Sequence, residues 1–435
     1  MNRIGIRRED KHRFEARAPL TPDDVRTLVQ EHGLEVVVQE SPIRAFPAEA
    51  YQAAGARVAP DLADCPVILG VKEIPPHLFE PGKTYVFFSH IIKGQAYNMP
   101  MLRQAMTLGC SIIDYEKVTD DAGRRLIFFG RHAGLAGMID TLWALGRRLE
   151  WEGLDTPFAT LKPAWKYPNL AAAKEAVAEV GRRIRQQALP ESLQPLVIGF
   201  TGYGNVSQGA QEVLDCLEPT SIEPADLPQI RDAHRDTAHT VFKVVFEERH
   251  MVVPADPDGT FDLQEYYQHP ERYRGVFEQQ HLPHLSVLVN CIYWDERYPR
   301  LLTKEYLART QAAGNRKLKV VGDISCDIEG AVEATVKPTD PGNPVYVYDP
   351  VTDTAHDGVE GDGPVILAVD TLPCELPVDA TEHFGRSLLP YVPALARADF
   401  SVPFDRLELP PEIKRAVLVY QGQFTPEYTY IGQYL

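Results

Sequence analysis

IGFTGYGNVSQGA, residues 198–210, is an apolar run that turns through glycines directly into a helical pattern. Gly202 and Gly204 supply the first two glycines of G-x-G-x-x-G. One permits a tight turn, and the other lets backbone N–H groups approach a pyrophosphate at a helix N-terminus. The third position is Ser207, which is still small enough for close helix–strand packing. Tyr203, Asn205 and Val206 complete the turn, so the expected dinucleotide-contacting set is Gly202, Tyr203, Gly204, Asn205, Val206 and Ser207. The competing reading is a tight strand–helix turn that holds no ligand.

Working outward, a helix over 208–217 leads to the short strand TSI and then to Glu223, about 20 residues beyond the first glycine. An acid at that spacing meets a ribose 2′-hydroxyl, or it is a solvated carboxylate in a turn with Pro224 and Asp226. PHLSVLVNCIYW and LKVVGDIS supply later buried strands. Their polar ends put Asn290 and Asp323 where an open parallel sheet places its ligand crevice. For Asp323 and Asp327 in GDISCD, helix capping is the alternative. The connection Arg231 to His284 is longer than usual, and DPDGTFD within it reads as a hairpin or turn insertion of no legible role.

Before this series, RIGI, EVVVQ, PVILGV, YVFFSH and SIIDYE alternate with helical patterns, among them TPDDVRTLVQEHG with Thr21 as N-cap and Gly33 as stop. RRLIFF reads as a further strand, followed by a long helix of small and apolar residues over 132–151. The expectation is an α/β protein of two parts. Residues 1–130 with 381–435 form a substrate domain, and 131–380 form a dinucleotide-binding domain.

A chain of 435 residues suits two or three domains, and 44% hydrophobic content is ordinary for a globular protein. MNRIGIRRED has no apolar h-region, and no segment reaches the roughly 18 apolar residues of a membrane span, so a cytoplasmic location is expected. A net charge of −17 opposes binding to nucleic acid or anionic membranes. The first 20 residues are nevertheless basic, which suits a small anionic substrate or simply a solvated surface. Six scattered cysteines without C-x-x-C spacing read as reduced core residues. His281 and His284 have helical ligand spacing but no completing set, so no metal is expected.

RREDKHRFEARAPLTP, VILGVKEIPP, YVFFSHIIKGQ, IDYEKVTDDAGRRLIFFG, FTGYGNVSQGAQ, HPERY, NCIYW, PRLLT, DISCDIEGAVEAT and TLPCELPVDATEHFG occur in this order. Together they resemble lysine–2-oxoglutarate reductase, the saccharopine-forming half of aminoadipic semialdehyde synthase, within the wider group of alanine dehydrogenase and transhydrogenase. The resemblance implies two Rossmann-like domains with parallel sheets and an active site in the cleft between them. It implies reductive condensation of L-lysine with 2-oxoglutarate to saccharopine, with Lys72 and His90 as the acid–base pair. It places Arg17 on a substrate carboxylate, and Arg124 or Arg125 on another. Glu15, Glu73 and Glu116 moderate the positive charge, and Lys93 and Asp370 form a further pair. Without the resemblance, Lys72 and His90 read as a solvated lysine and a hydrogen-bonded core histidine.

The fused reductases favour NADP(H), with Arg231 or Arg235 as phosphate partners, whereas an acid at Glu223 favours NAD(H). An NAD-dependent saccharopine dehydrogenase or an opine-type reductase is the nearest alternative. An alanine-dehydrogenase-type deaminase and a silent dinucleotide-binding regulator lie further off. The expected partners are the small-molecule substrates, with a separate saccharopine-cleaving dehydrogenase acting next, because no second catalytic half follows Leu435.

Overall fold

Short β-branched runs between turn formers become strands. In a computed structural model, which describes residues 2–234 and 236–435, the chain divides into two units, Met1–Phe129 with Pro377–Leu435, and Gly130–Leu376. The chain re-enters the first unit at Pro377, ahead of the helix Pro377–Leu388, rather than at 381.

In the first unit six parallel strands lie in the order Arg57–Ala59, Glu35–Gln39, Arg3–Ile6, Val67–Leu69, Thr84–Phe87 and Ser111–Asp114. Val417–Tyr420 and Gln423–Phe424 extend the sheet antiparallel to Ser111–Asp114. The order reverses between Arg3–Ile6 and Val67–Leu69, which opens a crevice beyond their carboxyl ends. The helix Pro22–Gln30 starts as its sequence predicts: Thr21 accepts from the Asp24 N–H while Asp24 caps the Thr21 N–H. RRLIFF departs from expectation, because Arg125 makes only an isolated bridge to Thr119 and no strand forms there. Its Phe129 is used in packing instead, stacking on Phe384 at 4.8 Å, with Tyr115 edge-on to Phe384 at 4.9 Å. These rings knit the returning segment into the core.

The second unit orders its parallel strands Thr220–Ile222, Val241–Phe246, Leu196–Thr201, Val287–Asn290, Val320–Asp323 and Val365–Leu367. Val345–Asp349 and Thr354–Asp357 follow antiparallel. The strand beside Leu196–Thr201 is therefore the third in sequence, not the second. The helix Gly130–Trp151 packs against the helix Asn205–Leu214 with backbones almost touching. A Cβ at Gly134 would lie 1.9 Å from the Val206 carbonyl oxygen, and one at Gly209 would lie 2.2 Å from that of Arg131. The close approach that a third motif glycine would serve thus falls to Gly209, two residues beyond Ser207.

Within this unit Asp140 and Glu375 are both buried and hydrogen-bond to each other. Asp140 also accepts from the Ala164 N–H at 2.7 Å, and Glu375 from the Trp165 N–H at 3.4 Å. Burial, reinforced by Asp140, pushes the Glu375 carboxyl well above its usual range, and burial raises Asp140 to about 6. A carboxyl whose folded pKa is raised contributes stability below its unfolded pKa and loses it as pH rises toward the folded value. Glu375→Gln keeps an acceptor for the Trp165 N–H but removes the titration. Urea unfolding should show its stability rising relative to the parent's as pH increases from 4.5 to 7. An equal difference at both pH values would disprove the proton linkage.

Candidate active site

The crevice of the first unit is lined from the segment that follows Arg3–Ile6. Glu9 is buried, and its two oxygens accept the Val71 N–H at 2.8 Å and the Lys72 N–H at 2.9 Å, fixing the backbone that carries Lys72. Arg7 stands behind it at 3.5 Å. Burial raises the Glu9 carboxyl, and Arg7 only partly offsets this. Arg17 and Glu15, also buried, meet through paired bonds of 2.7 and 2.6 Å, and the Arg17 guanidinium lies 4.4 Å from the Phe129 ring centroid. Burial alone would raise Glu15, but Arg17 outweighs it and holds the carboxylate ionised.

Lys72 leaves the end of Val67–Leu69, and His90 leaves the end of the adjacent strand Thr84–Phe87. No carboxylate among the described residues comes within ion-pair distance of the Lys72 ammonium. Burial lowers its pKa, the Arg17 charge lowers it further, and Glu73 pulls the other way. A lysine so placed gives up its proton more readily than an ordinary one.

His90 Nδ1 lies 2.7 Å from Glu73 Oε1, and Lys11 holds Glu73 from the other side at 2.9 Å. Burial would raise Glu73, but the His90 bond and the His90, Lys72 and Lys11 charges win and hold it well below the usual range. A carboxylate on Nδ1 makes that nitrogen the donor and leaves Nε2 for proton exchange. His90 sits in the left-handed region at φ 50°, a conformation maintained by the Glu73 contact and by Asn98 Nδ2 donating to the His90 carbonyl at 3.1 Å. Next to it, Ser89 donates from both N–H and hydroxyl to the buried Asp114.

Thus Lys72, Glu73, His90, Glu15 and Arg17 share one crevice, together with Lys11 and Glu9. Glu9 and Asp114 were missed in the sequence because their partners are backbone and hydroxyl groups remote in sequence. The other predicted charges do not join them. Arg124 is exposed and closes its own turn on Asp120 at 2.8 Å. Arg125 faces Glu116 at 3.7 Å on the surface. Lys93 is exposed in the first unit and Asp370 is exposed in the second.

In the second unit Leu196–Thr201 ends in Gly202 at φ 85°, whose N–H donates to the Phe246 carbonyl at 2.9 Å. Gly204 is the N-cap of Asn205–Leu214 and no side chain caps it, so the first-turn N–H groups face outward. Nothing lies within 4 Å of a Cβ built on Gly204, which leaves room for a phosphate to approach the backbone. A cavity of about 430 Å³ opens there, lined by Gly202, Tyr203, Gly204, Glu248, Tyr267 and Arg300 among others. Its size and the exposed N–H groups fit part of a dinucleotide. One wall comes from the long insertion. Val252–Pro254 pairs antiparallel with Tyr273–Gly275, and the helix Leu263–Gln268 between them brings Tyr266 and Tyr267 to the cavity.

Glu223 is not on that wall. It ends the outermost strand, is exposed, and caps the turn beginning at Pro224. Arg231 is also displaced from its expected role: it donates to the Gln194 carbonyl, which precedes Leu196–Thr201 and so lies at the opposite end of the sheet. Arg235 lies outside the described residues. Asn290 Nδ2 donates to Asp323 at 2.8 Å, and Asn290 Oδ1 accepts from Thr201 at 3.0 Å. Asp323 further accepts from Thr335 at 2.5 Å, and burial raises it to about 6. No helix follows Asp323, so it tethers strand ends rather than capping. His281 Nε2 donates to the His250 carbonyl at 2.8 Å. Among the described residues no group of three or more His, Cys, Asp or Glu is disposed to hold a metal, and no helix is long and apolar enough to cross a membrane.

Comparison with known proteins places residues 5–136 under "Alanine dehydrogenase/PNT, N-terminal domain" and residues 279–427 under "Alanine dehydrogenase/PNT, C-terminal domain". An alpha-aminoadipic semialdehyde synthase of Arabidopsis thaliana is 38% identical over 98% of this chain, which spans only 41% of that relative. A saccharopine dehydrogenase [NAD(+), L-lysine-forming] of Neurospora crassa is 28% identical, with 89% of each chain covered. A solved L-alanine dehydrogenase superposes with a TM-score of 0.63 at 20% identity over 99% of both chains. The chain spans less than half the length of the first of these relatives.

Proposed function

The chain belongs to the alanine dehydrogenase/PNT family, and from that premise we propose that it is a nicotinamide-dependent oxidoreductase joining L-lysine to 2-oxoglutarate to form saccharopine. The observation that carries the reading is the half-buried Lys72 beside the Glu73–His90 pair, with no carboxylate among the described residues in ion-pair distance. Neutral Lys72 takes a proton from the substrate's ε-ammonium, which lets the amine attack the ketone. His90, oriented by Glu73, donates through Nε2 to the hydroxyl that leaves the carbinolamine as water. Arg17 and Lys11 supply positive charge of the kind that carboxylate-rich substrates need. The Gly202–Ser207 turn would hold the pyrophosphate of a nicotinamide dinucleotide, which would supply the hydride for the reduction. The resemblance to the fused reductases favours NADP(H), with NAD(H) as the alternative.

The test is absorbance at 340 nm with lysine, 2-oxoglutarate and either reduced dinucleotide. Oxidation should require both substrates. Oxidation with ammonia and a 2-oxo acid, and none with lysine, would replace the proposal with an alanine-dehydrogenase-type reaction.

A further inference from the structure

His90 opens a loop that is held from three sides. Two have been described, Glu73 on the ring and Asn98 on the carbonyl. The loop turns back at Gly94, whose N–H donates to the Ile91 carbonyl at 3.0 Å and whose φ is 67°. Ile91 is buried, but Ile92, Lys93 and Gly94 are partly or wholly exposed, so the core anchors this backbone only at its start. The third side is the 3-10 stretch Pro426–Tyr434 of the same unit. Its own seat is firm: Ile431 is part of the core, and the buried Tyr428 donates to the Arg415 carbonyl at 2.8 Å. From that seat two tyrosines reach the loop. Tyr430 donates its hydroxyl to the Ile92 carbonyl at 3.0 Å. The Tyr434 ring rests against Gly94, where a Cβ would fall 2.4 Å from its Cγ. Glycine both leaves room for the ring and takes the positive φ without strain.

We infer that Tyr430 and Tyr434 are positioning residues for His90: by clamping the backbone from Ile92 to Gly94 they hold the imidazole against Glu73, in the place from which Nε2 exchanges its proton. The inference rests on the role proposed for His90. A non-glycine residue at φ 50° is strained and keeps that conformation only while its surroundings impose it. With the Ile92 carbonyl and Gly94 released, the strain relaxes by rotation of the backbone just after His90, which carries the ring off Glu73. Misplacing a reacting group by about 1 Å costs up to about 10²-fold in rate. Neither tyrosine has to touch substrate for this. Both are well exposed, at 44% and 42%, so they add little to the core and their replacement should leave the fold intact.

Two measurements on the whole protein test this. In the lysine and 2-oxoglutarate assay, Tyr430→Phe combined with Tyr434→Ala should lower kcat about tenfold while the KM for the dinucleotide stays within about twofold. Tyr430→Phe combined with Tyr434→Phe keeps the ring on Gly94 and should recover most of that loss. Independently of any reaction, NMR of histidine-labelled protein without ligands should show the His90 ring signal, identified by its absence in His90→Gln, displaced or broadened in the first double variant while the other histidine signals stay in place. A His90 signal unchanged from the parent, or a displaced signal with unchanged kcat, would overturn the inference. So would a loss of kcat accompanied by shifts of most histidine signals and a lower denaturant midpoint, which marks ordinary loss of packing. A parent that does not turn over lysine and 2-oxoglutarate would overturn the proposed reaction, and the NMR measurement would still decide whether the two tyrosines hold His90.

Discussion

Replacing Lys72 with Met should lower kcat for saccharopine formation by about 10²–10⁴-fold, the range typical of losing a positioned acid or base. Methionine fills a similar volume and removes only the amine, so the crevice should keep its shape. His90→Gln should produce a comparable loss, because an amide cannot exchange a proton as the imidazole does. The pH profile separates the roles. Burial and Arg17 lower the Lys72 pKa, so the parent's rate should rise with pH through a value below that of ordinary lysine. That limb should vanish in Lys72→Met. Added alkylamines should restore part of the rate if the missing group is a base. A variant with unchanged kcat and unchanged pH limb would remove Lys72 from the chemistry.

Gly134→Ala should cost about 3 kcal/mol or more in unfolding free energy, an unusual penalty for one methyl group. The added carbon would meet the Val206 carbonyl oxygen at 1.9 Å and the Ala210 nitrogen at 2.8 Å. These are backbone atoms, so no rotamer change relieves the overlap and the helix Asn205–Leu214 must shift. Gly204→Ala is the matched control. Its backbone is extended, at φ −73°, and nothing lies within 4 Å, so stability should hold while dinucleotide binding falls. Denaturant midpoints for both variants, alongside NADH titrations, check the contrast. A stable Gly134→Ala protein would mean that the two helices can separate without cost.

Much of the fold was legible because strand and helix periodicities stand clear in the sequence, and the glycine turn fell where a strand meets a helix. Other placements depend on contacts that spacing does not carry. Spacing picked Glu223 because it assumes that successive strands are neighbours, whereas Val241–Phe246 comes between. Ser207 takes the third motif position, and the close backbone approach occurs at Gly209 against another helix. Arg124 looked like a substrate cation, but Asp120 four residues earlier is a nearer partner in a turn. Glu9 carried no signal at all: its partners are two peptide N–H groups more than 60 residues away. The insertion was visible as an overlong connection, but its role as a cavity wall depends on a strand pairing between Val252–Pro254 and Tyr273–Gly275 that short runs do not announce.

The first unit is made of two chain segments separated by a whole intervening unit, and this imposes a timetable on synthesis. Ile113 finds its strand partner Val417 about 300 residues later. At roughly 5–20 residues per second, the Ser111–Asp114 edge waits about 15–60 s on the ribosome with its N–H and C=O groups unpaired. The second unit is continuous and can close in the meantime. The vulnerable species in the cell is therefore the half-made first sheet. Translation rate and chaperone supply, more than the stability of the finished protein, should govern how much of it reaches the folded state.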